Sequence, residues 1–241
     1  MQKRLDVLVC EQLDVSREYA KELILSGKCN VDGILITKPG ARFALDCIVE
    51  IRAQKLPYVS RGGTKLAHAI SKFGINLMGQ LCIDIGASTG GFTDCMLQSG
   101  AAGVIALDNG HGQLAERLMS DPRVISMEGM NILHVDIAQI PFIPRFAAID
   151  LSFISLEKVV PKVSEILSDA GHAIFLLKPQ FECGPRALSK KGVVTSLAAH
   201  TAALHKILLT ITNAGMTVHN MDFSPITGQN GNVEYLIFCE N

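Results

Sequence analysis

From residue 60 onward, short runs of consecutive apolar residues alternate with stretches in which apolar side chains return every three or four positions. The runs LCIDIGA (81–87), AGVIALD (102–108), RVISME (123–128), FAAIDLS (146–152), HAIFLLK (172–178), MTVHNMD (216–222) and VEYLIFC (233–239) have strand length. Strands that are apolar on both faces belong in a sheet covered on both sides. Helical patterns separate most of them, at 91–99, 112–119, 155–168 and 195–213. This rhythm predicts an α/β fold with a doubly wound, mainly parallel sheet, whose ligands bind outside the carboxyl ends of the strands. Between the last two runs, FSPITGQNGN holds turn formers and no room for a helix, so the final strand is expected to run antiparallel.

The first 57 residues follow a different pattern. Leu5, Leu8, Val9 and Leu13 recur at helical spacing; Ser16 is placed to cap a second helix, REYAKELILSG, which ends at Gly27. CNVDGILITKPG carries β-branched residues around an Asp-Gly turn signal, and CIVEIRA alternates like a strand. A small α+β module is expected. Arg17, Lys21 and Lys28 cluster where the second helix turns into the strand, which suits either a solvated face or a phosphate-binding one.

Composition narrows the functional classes. With 48% apolar residues among 241, a substantial core can form, and 22 basic against 23 acidic residues give a net charge of −1. Bulk charge therefore recommends no polyanionic partner. Residues 1–70 carry a net +3 and the remainder −4, which places any nucleic-acid surface near the N-terminus. Seven cysteines without a CxxC pair read as reduced thiols of a cytoplasmic protein. Asp6 and Glu11 interrupt the first apolar stretch before a signal-peptide core forms, and the uncharged run 207–221 is broken by Thr, Asn and Gly, so neither export nor membrane insertion is expected. The seven histidines show no HExxH and no cysteine partner at ligand spacing, and no metal site is expected.

The chemistry-bearing stretch is DIGASTGGF (84–92), which leaves a strand and enters a helix. Gly86, Gly90 and Gly91 allow close backbone approach, and the helix N-terminus offers unpaired N–H donors. Its spacing differs from a dinucleotide fingerprint, and the anionic Asp84 suits a cationic ligand; S-adenosylmethionine, with an ammonium and a sulfonium, fits better than a pyrophosphate. A glycine-rich turn without a ligand is the alternative. Asp108, at the end of the next strand, is placed to accept both hydroxyls of a ribose. Glu128 or Asn131, after the third strand, suits either an adenine contact or ordinary loop chemistry. Asp150 and Lys178 close later strands on the rim where ligands bind. Cys183, in QFECGP, suits an incidental loop thiol better than a nucleophile, since no second motif cysteine supports it.

The motifs SRGGTKL, DIGASTGGFTDCMLQ, ALDNGHGQL, DPRV, DLSFISL, LLKPQFE, KGVV and GNVEYL, in this order, resemble the TlyA family, whose members were often labelled hemolysins. The resemblance implies an S4-like RNA-binding domain at 1–57 and an FtsJ-like, Rossmann-type methyltransferase domain at 58–241. It implies 2'-O-methylation of a cytidine ribose in ribosomal RNA, with S-adenosylmethionine as cofactor and a ribosomal subunit as partner. Its Lys-Asp-Lys-Glu tetrad falls on Lys65, Asp150, Lys178 and Glu234. The implied cofactor contacts are Asp84, Gly86, Ala87, Ser88, Gly90, Gly91, Phe92, Asp108, Glu128 and Asn131; the implied RNA contacts are Arg4, Arg17, Lys21, Lys28 and Arg61. MEGMNILHV departs from the family by lacking basic residues after the third strand.

Methyl transfer to a hydroxyl is an in-line displacement, so positioning of the oxygen carries much of the catalysis. Lys178 is the candidate to orient that hydroxyl or accept its proton. Lys65 would depress the Lys178 pKa while Asp150 and Glu234 oppose this, so a coupled group is expected. DLSF stands where amino-group methyltransferases carry an Asn/Asp-Pro-Pro-Tyr/Phe loop, which favours oxygen chemistry. The rival readings are a membrane-active hemolysin-like protein and an inactive RNA-binding scaffold.

Overall fold

The computed structural model describes residues 2–13, 15, 17–52 and 56–241. The expected cap at Ser16 lies outside them. In the N-terminal module, helices α1 (Leu5–Leu13) and α2 (Arg17–Leu25) pack on short strands: β1 (Gln2–Arg4) pairs with β4 (Arg42–Ala44), and β2 (Cys29–Val31) lies between β3 (Ile34–Leu35) and β5 (Val49–Ile51). Leu5, Val9, Leu23, Ile24, Cys29 and Val31 form its core. Helix α2 stops as its glycine predicts: Gly27 is left-handed at φ +72°, and the Lys28 N–H donates back to the Leu23 carbonyl at 3.0 Å. Asp32 and Gly33, both at positive φ, make the tight β2–β3 turn. The β1–β4 pair has no counterpart in the sequence expectations, because three-residue strands carry too little alternation to be seen.

Residues from 62 onward form helices around one sheet. In chain order they are α3 (Gly62–Phe73), β6 (Leu81–Ile85), α4 (Gly91–Gln98), β7 (Gly103–Asp108), α5 (Glu116–Met119), β8 (Val124–Glu128), β9 (Phe146–Ile149), α6 (Leu156–Ile166), β10 (His172–Leu177), α7 (Pro179–Glu182), α8 (Leu197–Asn213), β11 (Thr217–Phe223) and β12 (Tyr235–Glu240). The seven-stranded sheet has the order β11-β12-β10-β9-β6-β7-β8. Strands β6 to β10 run parallel; β12 is antiparallel to both β10 and β11, as the turn-rich 223–232 segment predicts.

Alternate residues feed two cores. Ile83, Ile105, Phe175 and Ile237 face one side with α6 and α8, while Cys82, Val104, Ile174 and Leu236 face the other with α3 and α4. Chain direction across the sheet reverses at β6, which sits between β7 and β9, and a crevice opens there at the strands' carboxyl ends.

The helix expected at 112–119 is confined to Glu116–Met119. The backbone N–H groups of Gly112, Gln113 and Leu114 donate instead to the Glu128 carboxylate, at 2.9, 2.8 and 3.2 Å, so the preceding residues are held as a loop. Strand β9 likewise ends at Ile149, short of the expected 152, leaving Asp150 on the rim. The seven cysteines form no disulfide. Among the described residues no helix is long and apolar enough to cross a membrane.

Candidate active site

The glycine turn after β6 is built from left-handed backbone. Gly86 lies at φ +90°, and a Cβ there would run into the Asp150 carbonyl. At Gly91 a Cβ would strike the Ser60 hydroxyl. These two positions let the turn press against the β9 rim and the start of α3, so the donor loop and the tetrad segments share one wall.

Asp84 lies beneath this turn, fully buried. Its Oδ2 accepts from the Thr93 backbone N–H at 2.8 Å and the Thr93 hydroxyl at 2.7 Å, whereas Oδ1 has no partner. Burial pushes its carboxyl up to about 7, against the Thr93 hydrogen bonds and with added repulsion from Asp150 and Asp108. An orphaned, half-satisfied acceptor of this kind is completed by a cation. The fit to the ammonium of S-adenosylmethionine rests on this atom. Asp108 closes β7, where its Oδ2 accepts from the Ser88 N–H (2.8 Å) and its Oδ1 from the Gly110 N–H (2.6 Å).

Glu128 and Asn131 make hydrogen bonds within the protein. Both Glu128 oxygens hold the 112–114 backbone, which keeps its carboxyl below the usual range, and the Asn131 oxygen caps a short turn through the Leu133 N–H at 3.0 Å. Neither lines the cavity.

Lys65, Asp150, Lys178 and Glu234 come from four separate segments and line one cavity of about 220 Å3, together with Gly86, Ala87, Ser88, Gly91 and Phe92 of the glycine turn. They meet as two ion pairs. Lys65 Nζ lies 2.5 Å from Glu234 Oε2, and Lys178 Nζ lies 2.6 Å from Asp150 Oδ1. Lys178 also donates to the Ser152 hydroxyl at 3.0 Å. Asp150 and Lys178 leave the carboxyl ends of parallel β9 and β10; β12 runs the other way, so its leading Glu234 arrives at the same rim. Burial opposes ionisation of Asp150, yet the ammonium groups of Lys178 and Lys65 outweigh it and hold the carboxyl below its ordinary range.

Phe181, which lines the cavity, belongs to an aromatic pair with Phe153. Phe153 is 87% exposed and held at φ +65°, a left-handed conformation that costs a bulky residue about 1–3 kcal/mol. Its ring sits 5.2 Å from that of Phe181, which also lies under Lys178 Nζ at 5.9 Å. Tyr19, from α2, lines the cavity too, and Glu22 of the same helix pairs with Arg61 at 2.7 Å. Sequence reasoning missed Tyr19, Ser152, Gln180 and Phe181. Ser152 and Phe181 stand inside the motifs DLSF and KPQF and were within reach; Tyr19 carried no signal.

The candidate RNA contacts divide into two groups. Arg4 and Arg17 converge on the buried Asp6: Arg4 donates at 2.9 and 2.8 Å and Arg17 at 3.3 Å. Arg61 is held by Glu22. Lys28 is exposed and Lys21 half-buried, and neither forms an ion pair among the described residues. Among the described residues, no group of three or more His, Cys, Asp or Glu is arranged to hold a metal.

A parallel sheet with one reversed final strand and a glycine turn at the switch point is the architecture of the S-adenosylmethionine-dependent methyltransferases, and solved members of that class share this fold. Residues 58–241 match the FtsJ-like methyltransferase family, and the chain belongs to it. It is 36% identical to the 16S/23S rRNA (cytidine-2'-O)-methyltransferase TlyA of Mycobacterium tuberculosis, across 96% of this chain and 87% of that protein. It is 39% identical to hemolysin A of Brachyspira hyodysenteriae, across 97% and 98%. A solved homologue from Streptococcus thermophilus superposes with a TM-score of 0.81 at 40% identity, covering 100% of this chain and 88% of that one.

Proposed function

We propose that this protein transfers a methyl group from S-adenosylmethionine to the 2'-oxygen of a cytidine in ribosomal RNA, in the cytoplasm. The observation that carries this reading is the meeting of Lys65, Asp150, Lys178 and Glu234, as two ion pairs, on one cavity with the glycine turn. The family and the activity in the TlyA relative's name support the same chemistry.

When bound, S-adenosylmethionine supplies a methyl group on a sulfonium, open to in-line displacement. The protein's own work is to hold one hydroxyl behind it and to move one proton. Lys178, fixed between Asp150 and Ser152, places Nζ beside the ribose 2'-oxygen and sets its approach. Lys178 passes a proton to Asp150 Oδ1, 2.6 Å away, and the Nζ lone pair freed in this way takes the proton of the 2'-hydroxyl as its oxygen attacks the methyl group. Lys65, clamped by Glu234, keeps a second positive charge near Asp150, so the carboxylate starts ionised. Asp84 would hold the cofactor's ammonium, and Asp108, at the end of β7, its ribose. The exposed Phe153, with Phe181 behind it, offers a stacking face for a base turned out of its helix.

We assign the N-terminal module, residues 1–57, to RNA docking of the S4 type, with Lys21 and Lys28 as its phosphate contacts. The test is tritiated methyl incorporation into isolated ribosomal subunits, beside calorimetry with S-adenosylmethionine. Lys65→Ala and Lys178→Ala are expected to bind cofactor normally and to transfer no methyl groups. Full activity in either variant removes that lysine from the reaction. Absence of cofactor binding by the wild type leaves an RNA-binding scaffold. Liposome leakage that survives Lys178→Ala favours the membrane-active reading.

A further inference from the structure

The cavity holds a polar side chain that the reaction above does not use. Gln180 lines it beside Asp150, Lys178 and Glu234. Its Oε1 is closed off from solvent and accepts no hydrogen bond. A buried acceptor without a partner is destabilising until a donor completes it. Among the described residues, Asp84 is the other cavity-lining residue with such an atom, Oδ1, which the reading above gives to the cofactor's ammonium. The two orphans stand on different halves of the site: Asp84 on β6, Gln180 just past β10, with β9 between. The donor half is thereby accounted for, and Gln180 belongs to the acceptor half, where Lys178 meets the nucleotide.

The segment carrying Gln180 is fixed at both ends. The Phe181 N–H donates to the Lys178 carbonyl at 2.9 Å, and the Cys183 N–H to that of Pro179 at 2.9 Å. The next residue but one, Glu182, accepts from the Ser155 hydroxyl (2.5 Å) and the Leu156 N–H (2.7 Å) and pairs with Lys206 at 2.9 Å. The backbone that carries the amide is therefore fixed at the cavity wall by groups that never touch a ligand. Adjacent to it, Phe181 backs the exposed Phe153 face. An aromatic face with an amide close by in the chain is an arrangement that reads an unstacked base: the ring takes its face and the amide its Watson–Crick edge.

We propose that Gln180 is a specificity residue that reads the target base as cytosine, with Oε1 accepting from the N4 amino group and Nε2 directed at ring N3. In that orientation of the amide, uracil, which presents an oxygen where cytosine presents that amino group, would set acceptor against acceptor. This inference rests on the 2'-O-methylation reading above.

The experiment compares wild type, Gln180→Leu and Gln180→Glu on ribosomal subunits carrying either cytidine or uridine at the mapped methylation position, with S-adenosylmethionine affinity measured in parallel. A bidentate side-chain pairing with a base edge corresponds to roughly 5- to 100-fold in discrimination. Wild type is expected to favour cytidine by about that factor. Gln180→Leu should abolish the preference through a fall in kcat/KM on cytidine alone, with cofactor affinity unchanged. Gln180→Glu keeps the acceptor but turns a second one toward N3, and should fall between the two. Equal losses on both substrates, unchanged discrimination, or a drop in cofactor affinity would each overturn the assignment. Absence of any transfer by the wild type is the separate failure of the reaction itself.

Discussion

Lys65 and Glu234, 169 residues apart in the chain, lock the first helix of the methyltransferase fold to the start of its last strand through a 2.5 Å ion pair. Lys65 is 8% exposed and Glu234 2%. Removing one partner of such a pair strands a buried charge, at a cost of about 3–5 kcal/mol. Lys65→Ala is therefore expected to lower the denaturation midpoint strongly as well as abolish transfer. The double variant Lys65→Met, Glu234→Leu should recover most of the stability and none of the activity. Recovery of both would mean the pair is only a clamp.

Asp84 gives a pH signature. Its folded carboxyl titrates at about 7, above the ordinary 3.8 that holds in the unfolded chain. Below about pH 4 both states are protonated and the native state bears no penalty. As pH rises toward 7 only the unfolded chain ionises, so stability falls across that window. Asp84→Asn should thus be more stable than wild type at pH 8, with the difference vanishing near pH 4 in denaturant titrations. Ionised Asp84 is also the form that meets an ammonium, so cofactor affinity should fall several-fold between pH 7.5 and 6 in the wild type. Asp84→Asn should bind weakly and without that slope. A flat calorimetric profile in the wild type would break the link between Asp84 and the ammonium.

How much of the fold and site is legible in the sequence depends on how local the cause is. The sheet shows in its apolar runs, because strands buried on both faces leave no polar alternation. The reversed last strand shows because 223–232 is too rich in turn formers for a helix. The tetrad does not follow from composition or periodicity: Lys65 and Glu234 are ordinary until β12 reverses, and only the motif resemblance names them. The truncated α5 is invisible for the opposite reason. The 112–119 stretch has helical periodicity, and only the distant Glu128 carboxylate draws its first N–H groups away. Tyr19 gives no sequence signal and Gln180 only its place in the KPQF motif, since lining a cavity and lacking a partner are properties of the assembled fold.

Phe153 combines exposure with backbone strain, a pairing that stability alone does not maintain. Phe153→Ala should leave the denaturation midpoint nearly unchanged, because an 87% exposed ring contributes little packing. Stacking of a base on an aromatic side chain corresponds to about 1–3 kcal/mol, so kcat/KM on ribosomal RNA should drop about 5- to 150-fold. Phe153→Trp should retain most of the activity. An alanine variant as active as wild type would take the aromatic pair out of base recognition.

The N-terminal module separates two kinds of basic residue. Arg4 and Arg17 neutralise Asp6, which is fully buried, and the Arg4 guanidinium beside it holds that carboxyl below its usual range. Arg4→Ala should therefore destabilise the module, and Asp6→Asn combined with it should restore part of the stability. Lys21 and Lys28 form no ion pair among the described residues, so their replacement by alanine should leave folding intact. RNA binding should weaken, and the slope of log K against log salt should decrease by roughly 0.7–0.9 for each phosphate that is no longer neutralised. The measurement is a salt titration of binding to ribosomal RNA, with thermal melts of the same variants. If Lys21→Ala and Lys28→Ala leave the slope untouched while Arg4→Ala reduces it without unfolding, the phosphate-binding residues lie on the arginine side of the module instead.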